Sequence, residues 1–243
     1  MIQTENTAIV LRRVNYRDYD RMVTLLSPSR GRIDAIVRNC RKPKSHNLNA
    51  AEPFSLGDYM MIEAGGHMTV TSVHLIETFY PLRNDYARLT CGMWLLSLAE
   101  AVAEPEQEQQ ELFMLLLHTL SRLAFSDQPW KPLLAGFLLH FSACQGFKPR
   151  LNHCALCGKK IGEDSPVFFD AAEGGLCCTN CRRTKEQVPL SAENVRWMRQ
   201  ALTAGSASWI NTGEAEAPFA VLRNYVEDKL GRRLKSAALL PEE

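Results

Sequence analysis

Four cysteines in two Cys-x2-Cys pairs, Cys154/Cys157 and Cys178/Cys181, carry the most specific chemistry in this chain, and twenty residues separate the pairs. A Cys-x2-Cys places two thiolates on one tight turn, and two such turns close a tetrahedron around Zn²⁺. Four sulfurs leave no open position for water or substrate. The expected site is therefore one structural Zn²⁺ per chain. Cys177 stands beside Cys178 and offers a looser x3 alternative; the x2 spacing favours Cys178. A competing reading is a thiol oxidoreductase using Cys154 and Cys157, although Gly158 after the first pair suits a zinc knuckle better. Disulfides would need an oxidising compartment. The opening residues Met1-Ile2-Gln3-Thr4-Glu5 lack the basic and apolar segments of a secretory signal. No apolar run reaches the ~18 residues that span a bilayer. A cytoplasmic protein without a membrane partner is expected.

The second feature is a basic arm, Arg38-Asn39-Cys40-Arg41-Lys42-Pro43-Lys44-Ser45-His46. The net charge of +1 hides an asymmetry: residues 1–46 hold ten Arg or Lys against four acids, whereas the segment 100–111 holds five Glu and no cation. A basic end on a near-neutral chain suits a polyanion. Arg30, Arg32, Arg38, Arg41, Lys42 and Lys44 are the candidate phosphate contacts. Tyr16, Tyr19, Phe54 and Tyr59 are the nearby aromatic candidates for base stacking, with Phe54 better suited to the core than to a platform.

These residues need elements to position them. The first 80 residues read as five short antiparallel strands. Arg32 to Arg38 alternates, with Ile33, Ala35 and Val37 on one face and Arg32, Asp34 and Arg38 on the other. Two further strands flank Ala64-Gly65-Gly66-His67 as a hairpin. Five strands without an interposed helix predict an OB-fold barrel. From about Asp85 the apolar period becomes helical. Pro105 and Pro129 separate helices, Ser191 is a candidate N-cap, and Gly231 stops the last helix. The fold class is thus α+β and multidomain. It comprises an OB-fold nucleic-acid-binding domain over residues 1–80 and a helical domain over 81–149 and 186–243. A four-cysteine zinc module is inserted at 150–185.

Signs of catalysis are missing. The six histidines form no His-x-x-x-His or His-Glu-x-x-His pair, and no phosphate-binding or nucleophile-elbow glycine motif occurs. A non-enzymatic function follows. An RNA-binding zinc protein of the translation apparatus is an alternative to a DNA-binding one, since barrels and four-cysteine modules occur there too.

In order along the chain, Thr7-x-x-Val10-Leu11, Tyr16-Arg17-Asp18-Tyr19-Asp20 and Leu25-Leu26 with Gly31 are followed by Ala35-x-x-Arg38-Asn39-x-Arg41-Lys42-x-Lys44-Ser45 and Pro53-Phe54. The cysteine pairs, Gly174-Gly175-Leu176 and Leu230-Gly231-Arg232-x-Leu234-Lys235-Ser236 complete the set. This ordered set resembles the bacterial RecO recombination mediators over nearly the whole length. Asn39 stands where that family typically has Gly, and Tyr19 where it often has an acid. The resemblance implies binding to single- and double-stranded DNA, strand annealing, and cooperation with RecR and with the C-terminal tail of single-strand-binding protein. It implies that these together load RecA in gap repair. For the acidic, Phe-ended tail, the apolar stretches Leu112–Leu123 and Lys131–Cys144 are the expected dock.

Overall fold

The computed structural model describes residues 3–45, 47–64, 66–163, 165–204 and 218–241; His46 and Gly65 of the expected arm and hairpin lie outside the described residues. The chain divides into two compact units, residues 1–125 with 236–243, and residues 126–235.

The first unit begins with β1 (Gln3–Tyr16), β2 (Asp20–Ser27), β3 (Gly31–Val37), β4 (Leu56–Ala64) and β5 (His67–Glu77). They close into a barrel in the order β1-β2-β3-β5-β4. β1 serves two neighbours: Gln3–Ile9 pairs with β4 and Ile9–Tyr16 with β2, with an irregularity between Val10 and Arg12. Such a bulge lets one long strand bend around the barrel. The expectation of five antiparallel strands needs one correction, because β3 pairs with β5 in parallel. The reason is parity. An odd number of strands in a closed ring cannot alternate direction all the way round.

The alternation in β3 behaves as its sequence suggests, and Ile33, Ala35 and Val37 join Ala8, Val10, Val23, Leu25 and Met61 in the barrel core. Tyr59 lies in the same core and donates its hydroxyl to the Ala50 carbonyl at 3.0 Å. Phe54 is buried as well. Neither ring is available to a base. The long connection between β3 and β4 closes one end of the barrel by inserting Cys40 and Ala51 into the core.

Two helices complete this unit, α1 (Tyr86–Val102) and α2 (Gln110–Phe125). Asp85 caps α1 by accepting from the Arg88 amide at 3.1 Å. The turn before β3 docks on the segment between α1 and α2: the Arg32 amide donates to the Glu104 carbonyl at 3.0 Å and the Gln109 amide to the Pro28 carbonyl at 2.8 Å. Gly31 makes this approach possible. Its φ is +65°, and a Cβ there would sit 2.2 Å from the Glu104 oxygen and 2.6 Å from that of Gln107. Gly31→Ala should therefore cost more than the ~1 kcal/mol of an exposed left-handed glycine, about 3 kcal/mol, read as a lowered urea midpoint. Gly66→Ala, at φ +76° with open space around it, is the control that reports the conformational part alone.

The second unit holds α3 (Trp130–Cys144), α4 (Ala192–Thr203), α5 (Phe219–Lys229) and a small sheet of β6 (Val167–Asp170), β7 (Gly175–Cys178) and β8 (Val188–Leu190). The sheet order is β7-β6-β8. Ser191 and Asn194 form a reciprocal capping box at the start of α4. Leu134, Phe137, Leu138 and Phe141 of α3 are fully buried, as are Met198 and Tyr225 nearly so. The Phe169 and Tyr225 rings meet edge to face at 5.3 Å, which joins the sheet to α5.

His140 sits in α3 with its Nε2 at 2.9 Å from the Ala201 carbonyl of α4. A carbonyl only accepts, so this nitrogen carries the proton. Burial, with the Lys148 cation adding to it, holds the imidazole below its ordinary pKa despite that carbonyl. The unfolded chain thus binds the proton more readily than the folded one. Stability is full above about pH 6.5 and falls as the pH drops through that value toward the lower folded pKa. Urea midpoints measured from pH 7.5 to 5.5 should decline, and His140→Gln should show a shallower decline than the parent.

Candidate metal centre and nucleic-acid interface

The four cysteines meet. The Sγ atoms of Cys154, Cys157, Cys178 and Cys181 all lie within 4.8 Å of one another. The first pair rides a tight turn in which the Gly158 amide donates to the Cys154 carbonyl at 2.9 Å and the Cys154 amide to the Lys159 carbonyl at 2.8 Å. The Ala155 amide ties that turn to β7 through the Leu176 carbonyl at 2.7 Å. Cys178 ends β7, and Cys181 lies in the 3₁₀ turn Thr179–Cys181 that follows.

The donor set fits a tetrahedral metal. Bonds of about 2.3 Å to zinc require sulfur–sulfur edges of about 3.8 Å. The Cys157 and Cys178 sulfurs are 3.8 Å apart. The Cys178 amide points at the Cys154 sulfur at 3.4 Å, a donor suited to a thiolate. Burial opposes ionisation of Cys154, but the backbone amides of Cys157, Cys178 and Leu156 outweigh it and draw the thiol down to about 6. Cys181 goes the other way, pushed up to about 12 first by its hydrogen bonds to Cys157 and Cys178. Four sulfurs this close cannot all be anionic without a cation among them. Cys177 is outside the group: its side chain is fully buried, and burial, reinforced by the Cys154 sulfur beside it, pushes its thiol up to about 12.

The cations sort into two sets. Arg30 is paired with Glu106, and Arg32 with Asp34 at 2.8 Å. Arg30 just precedes β3 and Arg32 lies at its start, whereas Arg38 follows its other end, about 20 Å along the strand. The barrel's remaining arginines on β1 and β2 are also answered by acids: Arg12 by Glu100 at 2.6 Å, and Arg13 and Arg21 by Glu52 at 3.2 and 2.6 Å.

Arg38, Arg41, Lys42 and Lys44 are all exposed. They gather on one arm, and that arm is bound to the β1–β2 turn. The Arg41 amide donates to the Tyr19 carbonyl at 3.0 Å and the Asn39 amide to the Asp20 carboxylate at 2.8 Å. Asn39 adopts φ +54°, the left-handed geometry that turns the chain out of β3. The Lys42 ammonium lies 5.4 Å above the Tyr19 ring, and Tyr19 is 49% exposed. Arg17, at the tip of the β1–β2 turn, stands 5.0 Å over the Tyr16 ring. Sequence reasoning left Arg17 out of the site; its place between two tyrosines in a hairpin turn was the available signal. Five cations and two tyrosines thus share one rim of the barrel. The apolar side chains expected to dock a peptide are spent in packing: Leu112, Leu115, Leu116, Leu120, Leu134 and Phe137 are all buried.

A closed OB-like barrel, a helical region and a four-cysteine cluster define the class of protein. The family description "Recombination protein O N terminal" matches residues 1–79, and "Recombination protein O C terminal" matches 83–238. A "DNA repair protein RecO" from Anaeromyxobacter sp. (strain K) is 34% identical over 251 residues, spanning 100% of this chain and 97% of that protein. Another from Synechococcus sp. (strain JA-2-3B'a(2-13)) is 32% identical over 253 residues, covering 96% and 87%. A third, from Myxococcus xanthus (strain DK1622), is 30% identical over 244 residues, covering 100% and 98%. The chain belongs to the RecO family. Among the described residues no helix is long and apolar enough to cross a membrane.

Proposed function

We propose that this chain is a non-catalytic, DNA-binding recombination mediator that binds and anneals single strands and helps load recombinase in gap repair. The observation that carries the reading is the rim of the barrel. Arg17, Arg38, Arg41, Lys42 and Lys44 stand exposed there without a described acidic partner, whereas the other barrel arginines are ion-paired. A polyanion is the ligand that such a set accommodates. The cations neutralise phosphates and release their counterions, and that release drives association without reading sequence. Holding two strands with their charge screened lets complementary bases meet.

Zn²⁺ is the proposed metal, held by Cys154, Cys157, Cys178 and Cys181. When bound, it supplies a cross-link between the two cysteine turns and nothing reactive, since every position is filled by protein. Residues 150–185 then form a metal module set into the helical domain of 81–149 and 186–243, and residues 1–80 form the DNA-binding domain. The proposed partners are single- and double-stranded DNA, RecR and the tail of single-strand-binding protein, with RecA engaged indirectly, in the cytoplasm at the nucleoid.

Titration of the protein with single-stranded DNA and with RNA of the same sequence tests this reading. Tighter binding to DNA is expected. A clear preference for RNA would move the chain to the translation apparatus.

A further inference from the structure

The rim is not the only unusual surface of the barrel. In a closed barrel the outward residues of each strand face solvent and should be polar. Three outward residues on adjacent strands are not. Val14 of β1 is paired directly with Met22 of β2, and Met22 directly with Ile36 of β3. Val14 is 48% exposed and Met22 41%, with Ile36 partly exposed beside them. Single exposed apolar residues are ordinary. Three aligned across hydrogen-bonded strands form a continuous strip, which marks a contact surface.

What borders the strip identifies its occupant. On one side the next outward residue of β1 is Tyr16, with Arg17 over its ring, and two residues beyond Ile36 comes Arg38. On the other side the cations are silenced: Thr24 donates to Asp34 at 2.7 Å, Arg32 pairs with Asp34 at 2.8 Å, and Arg12 with Glu100 at 2.6 Å. The strip is therefore apolar; one edge carries the unpaired Arg17 and Arg38, with the Asp20 carboxylate between them taken up by the Asn39 amide at 2.8 Å, and the other edge carries no unpaired cation among the described residues. A single nucleic-acid strand complements both features, since its phosphates and its base faces run side by side, about one residue pair (~7 Å) of strand length apart.

We propose that Val14, Met22 and Ile36 form the base-packing platform of this barrel, with single-stranded nucleic acid laid across β1, β2 and β3 and its phosphates turned to the Arg17 and Arg38 edge. This rests on the reading of the chain as a single-strand-binding protein and assigns the apolar half of that interaction to aliphatic rather than aromatic side chains. The platform accepts any base, because aliphatic contact makes no hydrogen bonds to base edges.

The test substitutes Val14→Thr, Met22→Thr and Ile36→Thr together, choices that place a β-branched, strand-compatible side chain at each position. Affinity is measured for an oligo(dT) strand and for an abasic strand of the same length, each over a range of salt. The expected result is an about ten-fold loss on oligo(dT), no change on the abasic strand, and an unchanged salt slope on both. An unaltered affinity for oligo(dT) overturns the proposal, and so does an equal loss on the abasic strand, which would report damage to the barrel. If the triple variant fails to fold, Met22→Thr alone, at the centre of the strip, is read in the same way with an about three-fold loss. Failure of the underlying reading looks different: the unsubstituted protein would then bind neither strand.

Discussion

Replacing Arg38, Arg41, Lys42 and Lys44 together by Ala should weaken single-strand binding by about a hundred-fold near physiological salt and reduce its log–log salt slope by about three. The slope follows from counterion release, at about 0.7 per neutralised phosphate on a single strand. The loss should be alike for all sequences, because phosphate contacts carry no sequence information. Stability should hardly change, since these side chains are exposed and make no ion pair among the described residues. The contrasting variant is Arg30→Ala with Arg32→Ala. Those guanidiniums already face Glu106 and Asp34. Removing them deletes two partly exposed ion pairs worth little each and should lower the slope by well under one. Equal effects in the two variants would mean that charge anywhere on the barrel suffices, and that the rim has no special standing.

Losing the metal should have the largest effect on the fold. Purified without chelator, the protein is expected to carry one Zn²⁺ per chain. Cys157→Ser should abolish that stoichiometry and lower the thermal midpoint by 10 °C or more, because structural zinc supplies folding free energy directly. Apart from the metal, residues 154–181 are secured by the pairing of β6 with β7 and β8, by backbone bonds to Arg150 and Asn152, by the Arg199 guanidinium on the Ile161 carbonyl and by the Phe169 ring against Tyr225. The two cysteine turns themselves are joined by the single Ala155–Leu176 amide bond and the Cys178 amide on the Cys154 sulfur. Cys177→Ser is the informative comparison. Its buried thiol lies beside Cys154 but is not one of the four clustered sulfurs, so this change should cost about 1–3 kcal/mol of packing and polar burial while leaving the zinc in place. DNA affinity of correctly folded Cys157→Ser protein should be nearly that of the parent. Elemental analysis showing full zinc in Cys157→Ser, or none in the parent, would refute the assignment.

Much of this architecture is written in short-range pattern. The alternation of Ile33, Ala35 and Val37, the Ser191 cap and the two Cys-x2-Cys turns are local, and local rules govern them. The choice of Cys178 over Cys177 is also local, because the x2 spacing selects it. What the sequence concealed is set by contacts between distant residues. The parallel β3–β5 pair arises from closing an odd-stranded ring, which no single strand reveals. The neutralisation of Arg30 by Glu106 joins residues far apart in sequence, so a count of cations over residues 1–46 overstated the free charge. Asp34, two residues from Arg32 on the same strand face, was the part of that cancellation open to view. Tyr59 looks like a stacking aromatic by type and position, and only the closed barrel makes it core, whereas Phe54 reads as core from the sequence and is buried. The strip of Val14, Met22 and Ile36 was invisible because its three members become neighbours through strand register alone.

The central claim is that the rim of the barrel brings complementary strands together without catalysis. Its most direct test is the rate at which two complementary single strands anneal, followed by fluorescence in the absence of any nucleotide. The protein should accelerate annealing over the spontaneous rate, and the variant lacking Arg38, Arg41, Lys42 and Lys44 should return to nearly that spontaneous rate while remaining folded. Annealing that persists undiminished in this variant, or that requires nucleotide hydrolysis, would contradict the account.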